Sequence, residues 1–134
     1  MRRYLLDTNI VPQLITDRGK SQVLKRIAEI GEDNICTSIV VAAEIRYGVA
    51  KKGSARLRDA ADRLLTRLAI LPVEVPVDDS YGAVRWDLER RSLMIGPNGL
   101  LIAAQCLSLD QILVTNNTSE FAPVAGLTVE DWLA

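Results

Sequence analysis

The sequence contains no histidine. That absence excludes Ser–His–Asp triads, Cys–His pairs and histidine-based acid–base nucleases. Any hydrolytic chemistry must rest on carboxylates, metal ions or a less common base. Cysteine is scarce too: Cys36 and Cys106 both sit in apolar runs. Two core thiols are expected rather than a disulfide, given no export signal, and a zinc site would need more Cys or His. Aromatic residues make up 4% of a chain that is 49% hydrophobic, so the core must be built from Leu, Ile, Val and Ala. No apolar run approaches the roughly 20 residues of a membrane span. In "MRRYLLDTNI" an acid follows the arginines too soon for a signal-peptide apolar region, which leads to an expected place in the cytoplasm. Basic residues are missing from the last third. All 16 Lys and Arg lie in residues 1–91, whereas 92–134 carry only the charges of Asp110, Glu120, Glu130 and Asp131.

What is present suits one compact domain of 134 residues. Short apolar strands are expected at Tyr4–Leu6, at "NICTS", at "VEVPV", at "QILVT" and, as a fifth, in "GLTVED". Helical segments fall between them: about 9–16, 20–30, 40–51 and 54–71, then one after Asp78 or Asp79 and one in "NGLLIAAQCLSL". Ser38 and Ser54 are candidate caps, as is Asn98. Strands alternating with helices imply a parallel sheet covered on both faces. Such sheets place their functional crevice beyond the carboxyl ends of the strands.

Strand-end residues therefore matter most. Asp7, Thr8 and Asn9 follow the first strand, Thr37 and Ser38 the second, and Thr115, Asn116 and Asn117 the fourth. An acid such as Asp7 at the end of a buried strand is costly unless it is hydrogen-bonded or paired; it caps the next helix or serves a site. Glu44 shares an apolar stripe with Val40, Ala43 and Tyr47; it pairs with an arginine such as Arg46 or points into a crevice and binds metal. Asn117 suits an Asx-turn, and Glu120 a surface charge. Together these residues bring oxygen ligands to one sheet edge. Oxygen donors without His or Cys suit Mg²⁺ or Mn²⁺. Residues 45–67 are strongly basic, with Arg46, Lys51, Lys52 and Arg56 at their head; they form a solvated helical face or a hold on a phosphate backbone.

Four stretches carry a resemblance: "YLLDTNI", "TSIVVAAEIRYGV", "IGPN-LLIAA" and "ILVTNNTSEF…VAGLTVEDWL". In order and spacing they resemble PIN-domain ribonucleases, most closely the VapC-type toxins of bacterial toxin–antitoxin pairs, over essentially the whole chain. The resemblance implies a single PIN-like domain, 1–134, with a three-layer α/β/α fold around a central parallel sheet of four or five short strands. It implies a cytoplasmic endoribonuclease that uses Mg²⁺ or Mn²⁺ to cut RNA, often transfer RNA. A homodimer is implied, as is a cognate VapB-type antitoxin laid over the site. Asp7 and Glu44 match the family's first two carboxylates, which hold metal. Asn117 matches the fourth, Thr8 and Thr115 match polar positions near the metal, and Glu120 matches a frequent acidic position beside it.

The third carboxylate is an Asp directly after "GPN". Here that position is Gly99. Little or no nuclease activity is the expectation. The chain is then a naturally degenerate member or an inactivated variant of a toxic parent. A non-catalytic RNA- or antitoxin-binding module is the alternative reading. A phosphoacceptor receiver domain also has an acidic Mg²⁺ pocket, but it needs a lysine near its last strand, and none follows Lys52.

Overall fold

The computed structural model describes residues 2–15 and 20–133. Its centre is one sheet of five parallel strands: β1 (Tyr4–Leu6), β2 (Ile35–Ser38), β3 (Ala69–Leu71), β4 (Ile112–Val114) and β5 (Val129–Glu130). Their order across the sheet is β3-β2-β1-β4-β5. The first strand in the chain is thus the middle strand of the sheet. Tyr4, Leu5 and Leu6 pair with Ile35, Cys36 and Thr37 on one side and with Ile112, Leu113 and Val114 on the other. Flanked on both edges, β1 can afford no polar side chain until it ends, and Leu5 and Leu6 are fully buried.

Helices occupy the crossovers: α1 (Pro12–Ile15), α2 (Lys20–Ile30), a 3-10 turn at Glu32–Asn34, α3 (Ile39–Lys52), α4 (Ala55–Arg67), α5 (Val77–Arg90), α6 (Pro97–Leu109) and α7 (Thr118–Phe121). Ser38 caps α3 by accepting from the Val40 N–H at 3.1 Å, and Ser54 caps α4 through the Leu57 N–H at 3.2 Å. Each cap satisfies an amide that the helix itself cannot. Val41, Ala42, Ile45 and Val49 turn α3 inward, and Ala61 and Leu65 turn α4 inward. α6 is the most deeply set helix, with Leu100 and the run Ile102–Cys106 buried. The core is aliphatic as expected, and Cys36 and Cys106 lie in it as free thiols. Burial pushes both thiols up in pKa, which keeps them protonated and poorly reactive.

Several boundaries differ from expectation. The third strand is Ala69–Leu71, not "VEVPV", and α4 stops at Arg67. Pro72 lacks an N–H, and it ends this strand rather than the helix before it. Pro76 then caps α5, so Asp78 and Asp79 sit in its first turn. The first helical segment begins at Pro12 rather than at residue 9, and Gly19, its expected break, lies outside the described residues. α6 begins two residues earlier than an Asn98 cap implies, with Gly96 as N-cap and Pro97 first in the helix. Pro97 suits that place because its missing N–H would have no partner there. The Leu100 N–H donates to Gly96 O at 2.9 Å, so Asn98 is not the cap and Gly99 is the third helical residue. The stripe of Val40, Ala43, Glu44 and Tyr47 on α3 is not the buried one; Tyr47 is 67% exposed. α3 is apolar nearly all round, and its spacing alone did not separate inward from outward.

Candidate metal and nucleic-acid site

The sheet order reverses direction between β1 and β4, and an open α/β sheet forms its crevice at such a switch. Asp7 lies directly beyond β1, and its N–H still pairs with Val114 O at 2.9 Å. Its backbone is therefore held by the sheet while its side chain leaves it. Thr115 occupies the matching place beyond β4. The Thr115 hydroxyl donates to Asp7 Oδ2 at 2.9 Å and accepts from the Asn9 amide at 3.2 Å and the Asn117 N–H at 3.0 Å. One hydroxyl thus ties four strand-end residues together across the switch.

Glu44 enters from α3, half-buried, and accepts from the Thr8 hydroxyl at 2.7 Å. Arg46 does not serve as its partner; it is ion-paired with Asp62 on α4. Asn117 and Glu120 come from the turn and short helix after β4. The Asn117 amide donates to Glu120 Oε2 at 2.6 Å. Asp7, Thr8, Asn9, Glu44, Gly99, Asn117 and Glu120 all line a single concavity with Gly96, Pro97, Asn98 and Phe121. Every acid singled out from the strand ends and α3 is in it. Thr37 and Ser38 are not: Thr37 donates to Leu6 O at 2.7 Å and Ser38 caps α3. Asn116 only receives a hydrogen bond role through its N–H, which donates to Asn9 at 3.4 Å.

The electrostatics are one-sided. Among the described residues, those lining the concavity include no Lys or Arg. Asp7 is 7% exposed, and burial holds its carboxyl above the usual carboxylate range, with the negative field of Glu44 adding to the shift. The Thr8 N–H and the Thr115 hydroxyl oppose the shift without overcoming it. Charge of one sign gathered without a counter-charge calls for a cation. Among the described residues no three acids converge closely enough to cage an ion alone. Mg²⁺ needs no such cage: it takes one or two carboxylates and keeps several waters. The donor set fits that kind of ion.

Removing the Thr115 hydroxyl tests its part in this corner. Thr115→Val takes one donor from the buried Asp7 carboxylate and removes the acceptor of the Asn117 N–H. It is expected to cost about 1–3 kcal/mol, read as a lower urea midpoint with an unchanged slope.

The basic candidates sit apart from the concavity. Lys51 and Lys52 end α3 and Arg56 opens α4, all exposed. Lys51 rests over the Tyr47 ring at 6.0 Å. None of the four lines the acidic site. Two further residues line it. Gly96 is the N-cap of α6, and Phe121, which gave no sequence signal of its own, puts its ring 3.5 Å from where a side chain on Gly99 would begin.

Comparison with known proteins bears on the family and the fold. The PIN-domain family model matches residues 4–127. A Ribonuclease VapC2 of Rickettsia felis is 35% identical over 130 residues, covering 96% of this chain and 97% of that one. A tRNA(fMet)-specific endonuclease VapC of Shigella flexneri is 32% identical over 134 residues, covering 98% and 99%. Among solved structures, VapBC2 from Rickettsia felis bound to a promoter DNA fragment superposes with a TM-score of 0.84 at 34% identity, over 96% of this chain and 98% of that chain.

Proposed function

Because this chain belongs to the PIN-domain ribonucleases of VapC type, the toxin side of a toxin–antitoxin pair, we propose that it is a divalent-cation-dependent endoribonuclease acting on transfer RNA, slowed by Gly99. The observation that supports this reading best is the concavity at the β1/β4 switch, lined by Asp7, Glu44 and Glu120 and by no base among the described residues. Asp7 and Glu44 would hold Mg²⁺ or Mn²⁺. Such an ion supplies charge stabilisation for the phosphate and a water made more acidic.

The chain's own residues do the rest. Thr115 fixes Asp7, and Thr8 fixes one oxygen of Glu44, leaving the other to orient the attacking water. Asn117 steadies the site through its amide. Arg46, Lys51, Lys52 and Arg56 are proposed to contact the RNA backbone beyond the acidic mouth; Arg46 would first have to leave Asp62. The further partners are a VapB-type antitoxin and a second copy of the chain, and the setting is the cytoplasm. No helix among the described residues is long and apolar enough to cross a membrane. Trp86 and Tyr47, 65% and 67% exposed, are large apolar surfaces of the kind that such partners cover.

Incubation of the full chain with bulk transfer RNA and Mg²⁺ or Mn²⁺ is expected to give slow cleavage that EDTA abolishes. A second reading, a non-catalytic RNA-binding module, is favoured by Gly99 alone. RNA bound equally with and without metal, and left uncut, would decide for the module.

A further inference from the structure

β5 is two residues long and pairs with β4 alone. So short an edge strand has few ladder bonds to hold it. Yet one of those bonds reaches the acidic site. The Thr115 N–H, just beyond β4, donates to Glu130 O at 3.0 Å, while the Thr115 hydroxyl donates to Asp7 Oδ2 at 2.9 Å. Thr115 is fully buried, so its backbone bond to β5 contributes to where its hydroxyl points.

Glu130 is in turn held by its side chain. Oε1 accepts from Arg26 Nη2 on α2 at 3.1 Å and from Trp132 Nε1 at 3.0 Å. The Arg26 guanidinium lies over the Trp132 ring, 5.5 Å from its centroid. That ring is buried and packs on Tyr4 of β1, with centroids 5.5 Å apart. Arg26 and Glu130 are half-buried, and an ion pair so exposed fixes little alone. The ring beneath the guanidinium and the second donor on the same oxygen restrict it further.

We infer that Arg26, Glu130 and Trp132 are positioning residues of the acidic site, aiming the Glu130 carbonyl at Thr115 and, through Thr115, setting Asp7 for a cation. This rests on the cation reading given under Proposed function. None of the three lines the concavity, so their effect passes through the backbone of β5. A ligand's hold on a cation depends on the groups that orient it. Loosening Thr115 leaves the Asp7 carboxylate more orientations and a weaker hold.

Glu130→Met keeps the carbonyl and the side-chain length but removes the acceptor. Amide hydrogen exchange in the full chain reads the first step without metal. The Thr115 N–H is expected to exchange about tenfold faster, as a local opening rather than a global one. The Leu113 N–H, bonded to Thr128 O at 2.9 Å in the same strand pair, should change little. Glu130→Gln, which keeps an acceptor for both donors, is expected to restore Thr115. Titration with Mn²⁺, without RNA, reads the second step. Glu130→Met and Arg26→Met are each expected to weaken Mn²⁺ severalfold. Neither should weaken it further in a Thr115→Val background, because effects that pass through one residue do not add. Thr115 and Leu113 speeding up alike, or effects that add in the Thr115→Val background, overturn the inference in favour of a merely structural role. Wild-type Mn²⁺ affinity in Glu130→Met, with binding lost in Asp7→Asn, overturns it too and spares the cation reading. No Mn²⁺ binding by the wild type overturns both.

Discussion

Asp7→Asn is expected to abolish RNA cleavage and, in the absence of metal, to make the protein more stable. The two effects have one cause. Asp7 is the most buried acid of the site, at 7% exposure, and among the described residues it meets the sheet, Thr115 and the field of Glu44 but no cationic partner. Its carboxyl titrates above the ordinary value of 3.8. Between that value and the raised one, the folded chain holds more protons than the unfolded chain, and stability falls as pH rises through the interval. Above it the ionised carboxylate costs stability; below 3.8 it costs none. Asn removes the charge and keeps an acceptor for Thr115. The variant should melt at a higher temperature than the parent at pH 7 in EDTA, and the gap should close as pH falls toward the ordinary carboxylate value. Cleavage should fall about a hundredfold or more, because a bound metal contributes several kcal/mol to such a reaction and each 1.4 kcal/mol is a factor of ten. An unchanged melting temperature at pH 7 would show that Asp7 carries no desolvation cost. Retained cleavage would remove it from the site.

Gly99→Asp carries the second large effect. The new side chain begins where Glu120 Oε1 now lies, 2.8 Å from the Cβ position. The obstacle is the far end of a flexible side chain, so Glu120 turns away at small cost. The new acid also stands at the third residue of α6, where the helix dipole contributes about 0.3–1 kcal/mol to a negative charge. Cleavage is expected to rise about tenfold or more over the parent, the step of one added carboxylate at a metal site. Cells expressing the variant without an antitoxin should stop growing. Healthy cells and uncut RNA would sink the idea that this chain is a weakened toxin. The same result would leave the binding module standing.

The fold was legible where hydrophobic pattern and polar punctuation agreed. "YLLDTN" shows a buried strand and its end in six letters, and Ser38 and Ser54 announce their helices. It was less legible where two elements meet without a break. "LTRLAILPVEVPV" holds a helix end, a strand, a turn and another helix start, and its prolines are consistent with more than one division. The helix ran on past Arg67 in the reading because Leu68 and Leu71 extend its apolar face. Strand pairing with Cys36–Ser38 decides otherwise, and such pairing depends on residues more than thirty places away. At the site, Asp7 and Glu44 were readable because an acid among apolar neighbours is costly and needs a reason. Glu120 looked like a surface charge beside the site, since nothing local in "NNTSEF" reveals that it faces Gly99. Only the fold sets α7 over the start of α6.

The order of strands also bears on how such a protein is made. β1 leaves the ribosome first, yet the neighbour on one of its edges, β4, comes more than a hundred residues later. Asp7 and Thr115, joined by a 2.9 Å hydrogen bond, are 108 positions apart. Contacts of that separation close late, because the loop entropy must be met before they form. A growing chain therefore has its first site acid from the outset and no finished site until residues 112–120 emerge. Synthesis itself withholds the assembled acidic pocket until nearly the whole domain is out.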